Sequence, residues 1–248
     1  MNVEDQNGVR TITFDRPESL NAFTADAAKS LAQALDDVET DQHDAIVLTG
    51  EGDAFSAGGD LEAMAERDET PKESLDRTTD TLGRVVEAAL TSKVPIVAKV
   101  NGDAVGAGLA VTAVSDFAYA ADSASFSCAF ARVGLVPDTG GTFLLPRLVG
   151  LRTAKRLAMT AEFIPASEAA ELGLINEAVP DDDLEAAVDD LLETLRKRPT
   201  TTLGLTKRAI HENMGRYWRE ALDHELLTQS LAYGTPEHED GVNAFLDR

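Results

Sequence analysis

The feature that most constrains this chain is the way its first 180 residues alternate short apolar runs with helical stretches, joined by glycine-rich turns. Val9 to Phe14 reads VRTITF, a strand pattern stopped by Asp15-Arg16-Pro17. Thr24 to Thr40 has helical spacing (Ala28, Leu31, Leu35, Val38), with Thr24 as N-cap. Ala45–Thr49 is a buried-type strand, residues 62 to 80 are charged and read as an irregular, mobile surface segment, and a helix follows to about Leu90. The strand Pro95–Val100 precedes a glycine turn and an apolar helix to about Val114, and another strand spans Asp116–Ala120. Strands and helices in alternation define an α/β class with mostly parallel pairing. From Asp183 onward only helical patterns remain, broken at Arg198-Pro199 and Gly234-Thr235-Pro236. The expected organisation is an α/β core over residues 1–190 and a helical section over 191–248.

Forty-four acidic residues face 22 basic ones, a net charge of −22. Nucleic-acid binding and polybasic membrane contact both need a basic stripe, and the composition supplies none. An ordinary acidic surface would suffice for such a balance. The scatter of acids along the whole chain, with 7 lysines against 15 arginines, favours adaptation to a salty cytoplasm, where screening tolerates self-repulsion. Dialysis out of molar salt is then expected to disrupt the assembly, and unchanged size and melting temperature in dilute buffer would remove that reading.

The single cysteine, Cys128, excludes a disulfide framework and a thiolate zinc site, and is expected to be a small buried hydrophobe. MNVEDQNGVR has no basic segment followed by an apolar run, so no signal peptide is expected there, and no apolar stretch approaches a membrane span. A cytoplasmic location is expected. His43, His211, His224 and His238 all lie away from the glycine-rich turns and are expected on the surface or on helix faces. HExxH, GxSxG and P-loop patterns are absent, and Gly106-Ala107-Gly108 lacks the third glycine of a dinucleotide fingerprint, Val111 standing in its place.

Two strand-to-helix turns remain, Ala57-Gly58-Gly59-Asp60 and Gly106-Ala107-Gly108. Either alone could be simple close packing. Together they bring backbone N–H groups to helix N-termini with no side chain in the way, the arrangement that stabilises a developing oxyanion. A third turn, Pro137-Asp138-Thr139-Gly140-Gly141, adds a carboxylate.

The runs Asp15-Arg16-Pro17, Leu20-Asn21-Ala22, Ala54 to Leu61, Val100-Asn101-Gly102, Gly140-Gly141-Thr142 and Leu145 to Gly150, in this order and spacing, resemble the enoyl-CoA hydratase/isomerase (crotonase) superfamily. Ala166 to Ala169, Gly173-Leu174-Ile175 and Glu239 to Leu246 continue the likeness, which covers nearly the whole chain. The resemblance implies a spiral of ββα units and C-terminal helices that assemble trimers, sometimes paired into hexamers. It also implies an acyl-CoA substrate and no metal or redox cofactor, coenzyme A being part of the substrate. By position, Gly59 and Ala107 would donate the two oxyanion-hole N–H groups. Ala57, Gly58, Asp60, Leu61, Gly106 and Phe130 would line the ligand, with Ala22 near the adenine end. Relatives usually run on past the position of Arg248 with basic and aromatic residues that touch the CoA.

Two departures bear on the reaction. Where family hydratases carry their two glutamates, this chain has Ala110 and Phe130. Asp138 stands where isomerases of the family carry their acid/base, and Phe126 to Arg147 is most similar to the phenylacetate-pathway branch (1,2-epoxyphenylacetyl-CoA isomerase). The 4-chlorobenzoyl-CoA dehalogenase branch also has an aspartate here, but its base histidine and aromatic have no counterpart in this sequence. By itself, Asp138 is a good turn or N-cap residue; the family context favours catalysis. The expected activity is double-bond isomerisation of an acyl-CoA. The alternatives are hydration of a 2-enoyl-CoA and a non-catalytic CoA-binding role.

Overall fold

A computed structural model describes residues 1–246. The chain opens with two strands, β1 (Asn2–Gln6) and β2 (Val9–Phe14), then α1 (Ala25–Asp36), β3 (Ala45–Gly50), β4 (Ala54–Ser56), α2 (Leu61–Ala65) and α3 (Pro71–Thr78). A π turn at Thr79–Gly83 leads into α4 (Arg84–Thr91), followed by β5 (Ile96–Val100), β6 (Asp103–Val105), α5 (Ala107–Val114), β7 (Phe117–Ala121) and β8 (Ser125–Ser127). A 3₁₀ turn at Ala129–Val133 precedes α6 (Gly141–Val149), α7 (Leu151–Thr160), β9 (Phe163–Pro165), α8 (Ala166–Glu171) and β10 (Glu177–Val179). The remainder is helical: α9 (Leu184–Arg196), α10 (Thr200–Asn213), α11 (Trp218–Tyr233) and α12 (Pro236–Leu246).

Two sheets divide the strands. The larger has the order β1-β2-β3-β5-β7-β10 and is parallel except for the β1–β2 hairpin. The smaller has the order β4-β6-β8-β9, with β9 antiparallel at its edge. Each of β3, β5 and β7 hands the chain from the large sheet to a short strand of the small one, and a helix then leads back. That repeated ββα step is the crotonase-type fold expected above.

The strands of the large sheet are apolar on both faces because both are covered. Ile12, Ile46, Leu48, Ile96 and Val100 face the main core with α1 and α4. Val9, Ala45, Val47, Val97 and Val179 face Leu184, Val188, Leu192 and Leu195 of α9. Position 190, where the α/β core was expected to end, lies inside a helix packed on the sheet. The chain leaves that surface only after Arg196, and positions 247 and 248 of the expected section lie outside the described residues.

Three readings of the sequence are corrected. The segment 62–80 holds two helices rather than irregular chain. Asp60 caps α2 by accepting from Ala63 N–H at 3.0 Å, and α3 opens with a Thr70/Glu73 capping box and Pro71 at its first turn. Helix α1 ends at Asp36, four residues short of expectation, although Val38 beyond it stays buried and so extends the apolar spacing. His43 is buried, not on the surface: Glu39 N–H donates to its Nδ1 at 3.2 Å, and its Nε2 lies 3.3 Å from Asp5 Oδ2. Strand β1 was missed altogether. Its signal is Asn7-Gly8, whose positive φ values of 51° and 78° make the tight hairpin turn that matches strand twist. No described helix is long and apolar enough to cross a membrane.

Candidate active site

The first glycine turn is positioned by side chains that accept and donate on behalf of the backbone. Arg16 Nη1 donates to Asp60 Oδ2 at 2.9 Å and to the Ala22 carbonyl at 2.7 Å. Buried Asn21 accepts from Arg16 N–H at 2.9 Å and donates to the carbonyls of Glu51 and Ala54 at 2.9 and 2.8 Å. These contacts hold Leu20 and Asn21 at positive φ, 50° and 58°, which L-residues seldom adopt. Phe23 then pairs with the turn: its N–H donates to Gly58 O at 2.6 Å, and its carbonyl accepts from Asp60 N–H at 3.1 Å. Ala22 is thereby fixed beside residues 57–60.

Within the turn, Gly58 N–H donates to Ser56 Oγ at 3.1 Å, while Ser56 Oγ donates to the Asn21 carbonyl at 2.9 Å. Gly59 N–H has no acceptor among the described residues. Asn101 makes the matching bracket one ββα unit later, accepting from Gly50 N–H at 2.9 Å and donating to Gly52 O at 2.8 Å. Gly106 N–H is taken by Ser127 O at 2.8 Å, and Ala107, first residue of α5, again has an N–H without an acceptor among the described residues.

The two turns touch. Gly58 has φ +90°, and a Cβ there would lie 2.6 Å from Val105 O and 3.1 Å from Ala107 N. Only glycine allows that approach. The free N–H groups of Gly59 and Ala107 thus belong to adjoining turns, each at or beside a helix N-terminus where the backbone dipoles favour negative charge. Met64, one turn into α2, lays its terminal methyl over the Cα of Gly59. Nothing in the sequence marked it, because its position depends on α2 being a helix.

The expected ligand-lining residues divide. Leu61 is exposed at the start of α2, Ala57 is half-buried, and Gly106 is buried at the contact between the turns. Phe130 is buried in the main core. The Asp60 carboxylate is fully engaged. Ala63 N–H and then Arg16 hold it below the usual carboxylate range, so its side chain pins α2 to the Asp15-Arg16-Pro17 turn. Cys128 is fully buried, and desolvation pushes its thiol up to about 11, as befits a small hydrophobe.

Asp138 precedes α6, which packs against α5. Its Oδ1 accepts from Thr139 Oγ1 at 2.8 Å. Desolvation raises its carboxyl above the usual range, against the opposing pull of the Thr139 hydroxyl, its own amide and the charge of Arg77. Asp138 is nevertheless an exposed residue, so its desolvation is only partial. Ala110 and Phe130, where the family likeness led us to expect the two acids of a hydratase, are both buried and apolar.

The family described as enoyl-CoA hydratase/isomerase matches residues 4–248, and the chain belongs to it. Over 245 residues it is 38% identical to a probable enoyl-CoA hydratase of Rhodobacter capsulatus, spanning 99% of this chain and 94% of that one. It is 36% identical to the 1,2-epoxyphenylacetyl-CoA isomerase of Escherichia coli K12, over 97% of this chain and 93% of the relative. The crystal structure of an enoyl-CoA hydratase from Mycobacterium smegmatis matches with a TM-score of 0.91 at 28% identity, over 99% and 95% of the two chains. These names divide between hydration and isomerisation, so the residues themselves must argue the reaction.

Proposed function

We propose that this member of the family isomerises an unsaturated acyl-CoA, moving a double bond relative to the thioester. Asp138 carries the reading: it is the acid of the third glycine-rich turn, its carboxyl raised by desolvation, whereas Ala110 and Phe130, the positions where the family likeness expects the acids of a hydratase, are buried and apolar. The N–H groups of Gly59 and Ala107 would bind the thioester oxygen and strengthen their hold as it becomes an enolate. For a 3-enoyl ester, Asp138 removes a proton from the α-carbon, negative charge moves onto the held oxygen, and the same proton returns at the γ-carbon. No water is added and no electrons leave the substrate. A carboxylate with a raised pKa suits both halves of this shuttle, since it accepts and releases the proton more nearly isoenergetically.

Hydration asks more of the site, because one group must activate water while a proton is delivered to the α-carbon. Its support is the names of the 38% identical relative and of the Mycobacterium smegmatis structure. The two reactions separate in one assay. The protein is expected to convert a 3-enoyl-CoA to its 2-enoyl isomer and to hydrate crotonyl-CoA poorly. Brisk 3-hydroxyacyl-CoA formation with no isomerisation would reverse the reading, and CoA-ester binding with neither activity would leave a non-catalytic role.

A further inference from the structure

The two candidate donors are housed differently. Ala107 is buried as the first residue of a helix that is buried along its whole length, whereas Gly59 is only half-buried, so water can reach it. The backbone groups next to Gly59 are taken: Gly58 N–H by Ser56 Oγ, and Gly58 O and Asp60 N–H by the backbone of Phe23. Other glycines of the two turns are backed by main chain, Gly58 by the Val105 carbonyl and Gly108 by that of Ser56. Gly59 is backed by one side chain. A Cβ there would meet the terminal methyl of Met64 and lie 3.9 Å from its sulfur. Apart from the chain neighbours of Gly59, no other described residue comes within 4 Å of that point. Met64 is held in place by α2: its N–H donates to Asp60 O at 3.0 Å, and Asp60 caps the helix while Arg16 grips the same carboxylate.

We infer that Met64 is a positioning residue for the oxyanion hole: its methyl covers the α2 side of Gly59 and keeps water from the N–H, so that the thioester oxygen meets a donor that is not already hydrated. The inference rests on Gly59 N–H being one of the two donors. A donor holds developing negative charge strongly where solvent is excluded, and weakly where water can turn into its place. Ala107 has that exclusion from its own helix. Gly59, in a turn that must stay open to a ligand, obtains it only from a residue outside the turn. A thioether suits the task. It is apolar, it is too weak an acceptor to compete with the thioester oxygen for the N–H, and its flexible chain lets the methyl shift as the ester enters. A side chain at position 59 would push this cover aside.

The test uses the full-length protein with Met64→Leu, Met64→Gln and Met64→Ala, all good helix formers that leave α2 intact. Isotope-edited infrared spectra of bound butyryl-CoA, carrying ¹³C at the thioester carbonyl, report how strongly the hole polarises that oxygen. A saturated ester can neither isomerise nor be hydrated, so the readout does not depend on turnover. Wild type is expected to shift the carbonyl stretch to lower frequency than in water. Met64→Ala and Met64→Gln should lose part of that shift and lower kcat for isomerisation roughly three- to tenfold, less than deleting a donor outright, with KM within about twofold. Met64→Leu, apolar and of similar volume, should keep both near wild type. Glutamine matches methionine in length, so a residue that merely props α2 would accept it as readily as leucine. Equal behaviour of the leucine and glutamine variants, or an unmoved carbonyl in folded Met64→Ala, overturns the inference. An unshifted carbonyl in wild type removes the oxyanion hole itself, and the inference with it. A shift that Met64→Gln reduces, in a protein that isomerises nothing, removes the isomerase reading instead and leaves the role of Met64 at the hole standing.

Discussion

Asp138→Asn is expected to lower turnover in double-bond isomerisation by roughly two to four decades, with KM for the acyl-CoA nearly unchanged. The amide keeps the size of the side chain and can still meet the Thr139 hydroxyl, but it cannot accept a proton from carbon. The change should not unfold the protein. Because the folded carboxyl is raised above its unfolded value, ionised Asp138 disfavours folding at neutral pH. That penalty vanishes as pH falls below the unfolded pKa and is complete above the folded one. Asparagine removes it, so stability at neutral pH should hold or rise while activity collapses. Steady-state kinetics beside thermal melts would show this divergence. Equal losses of melting temperature and turnover would mean that Asp138 is a turn residue and nothing more.

Lys207→Met is expected to destabilise the protein by about 3–5 kcal/mol, the range for breaking one side of a buried ion pair. Lys207 of α10 places Nζ 2.6 Å from Asp116 Oδ2, which also accepts from the Ile96 N–H at 2.7 Å. The side chains are only 5% and 15% exposed. Desolvation pulls the lysine below its usual pKa, with Asp116 opposing, and the methionine would leave the aspartate buried and short of a cation. Replacing both partners, Asp116→Asn with Lys207→Met, should be milder than the single change, because no orphaned charge remains. Denaturant titrations at fixed salt and protein concentration would measure both. A single-variant loss below about 1 kcal/mol, the scale of a surface pair, would contradict the burial seen here. The pair ties α10 to the start of β5, the strand that leads to the Asn101 bracket and the second glycine turn. Loosening it should therefore lower activity as well.

Both predictions depend on distinctions that the sequence draws unevenly. The ββα alternation was legible because buried parallel strands are short, apolar and bounded by glycine, a local pattern. The two backbone-donor turns were legible for the same reason, since a turn that must approach another backbone admits only small residues. The family likeness carried Asp138 from a plausible turn residue to the candidate base. The helices at 61–78 were not legible from apolar spacing. They are charged and half-exposed, and their starts depend on the Asp60 cap and the Thr70/Glu73 box rather than on a hydrophobic face.

Local pattern by itself determined the α/β class, the helical C-terminal run and two glycine turns able to present backbone donors, and the family likeness then pointed to Gly59 and Ala107 within them. It could not say that Asp60 spends its carboxylate on Arg16, that His43 is buried, or that α9 belongs to the sheet. Those facts depend on residues tens of positions apart meeting in space: Arg16 with Asp60, Asp5 with His43, Val97 with Leu192. Charge interactions fall with distance and dielectric, not with sequence separation, so the tuning of this site was decided by the tertiary structure alone.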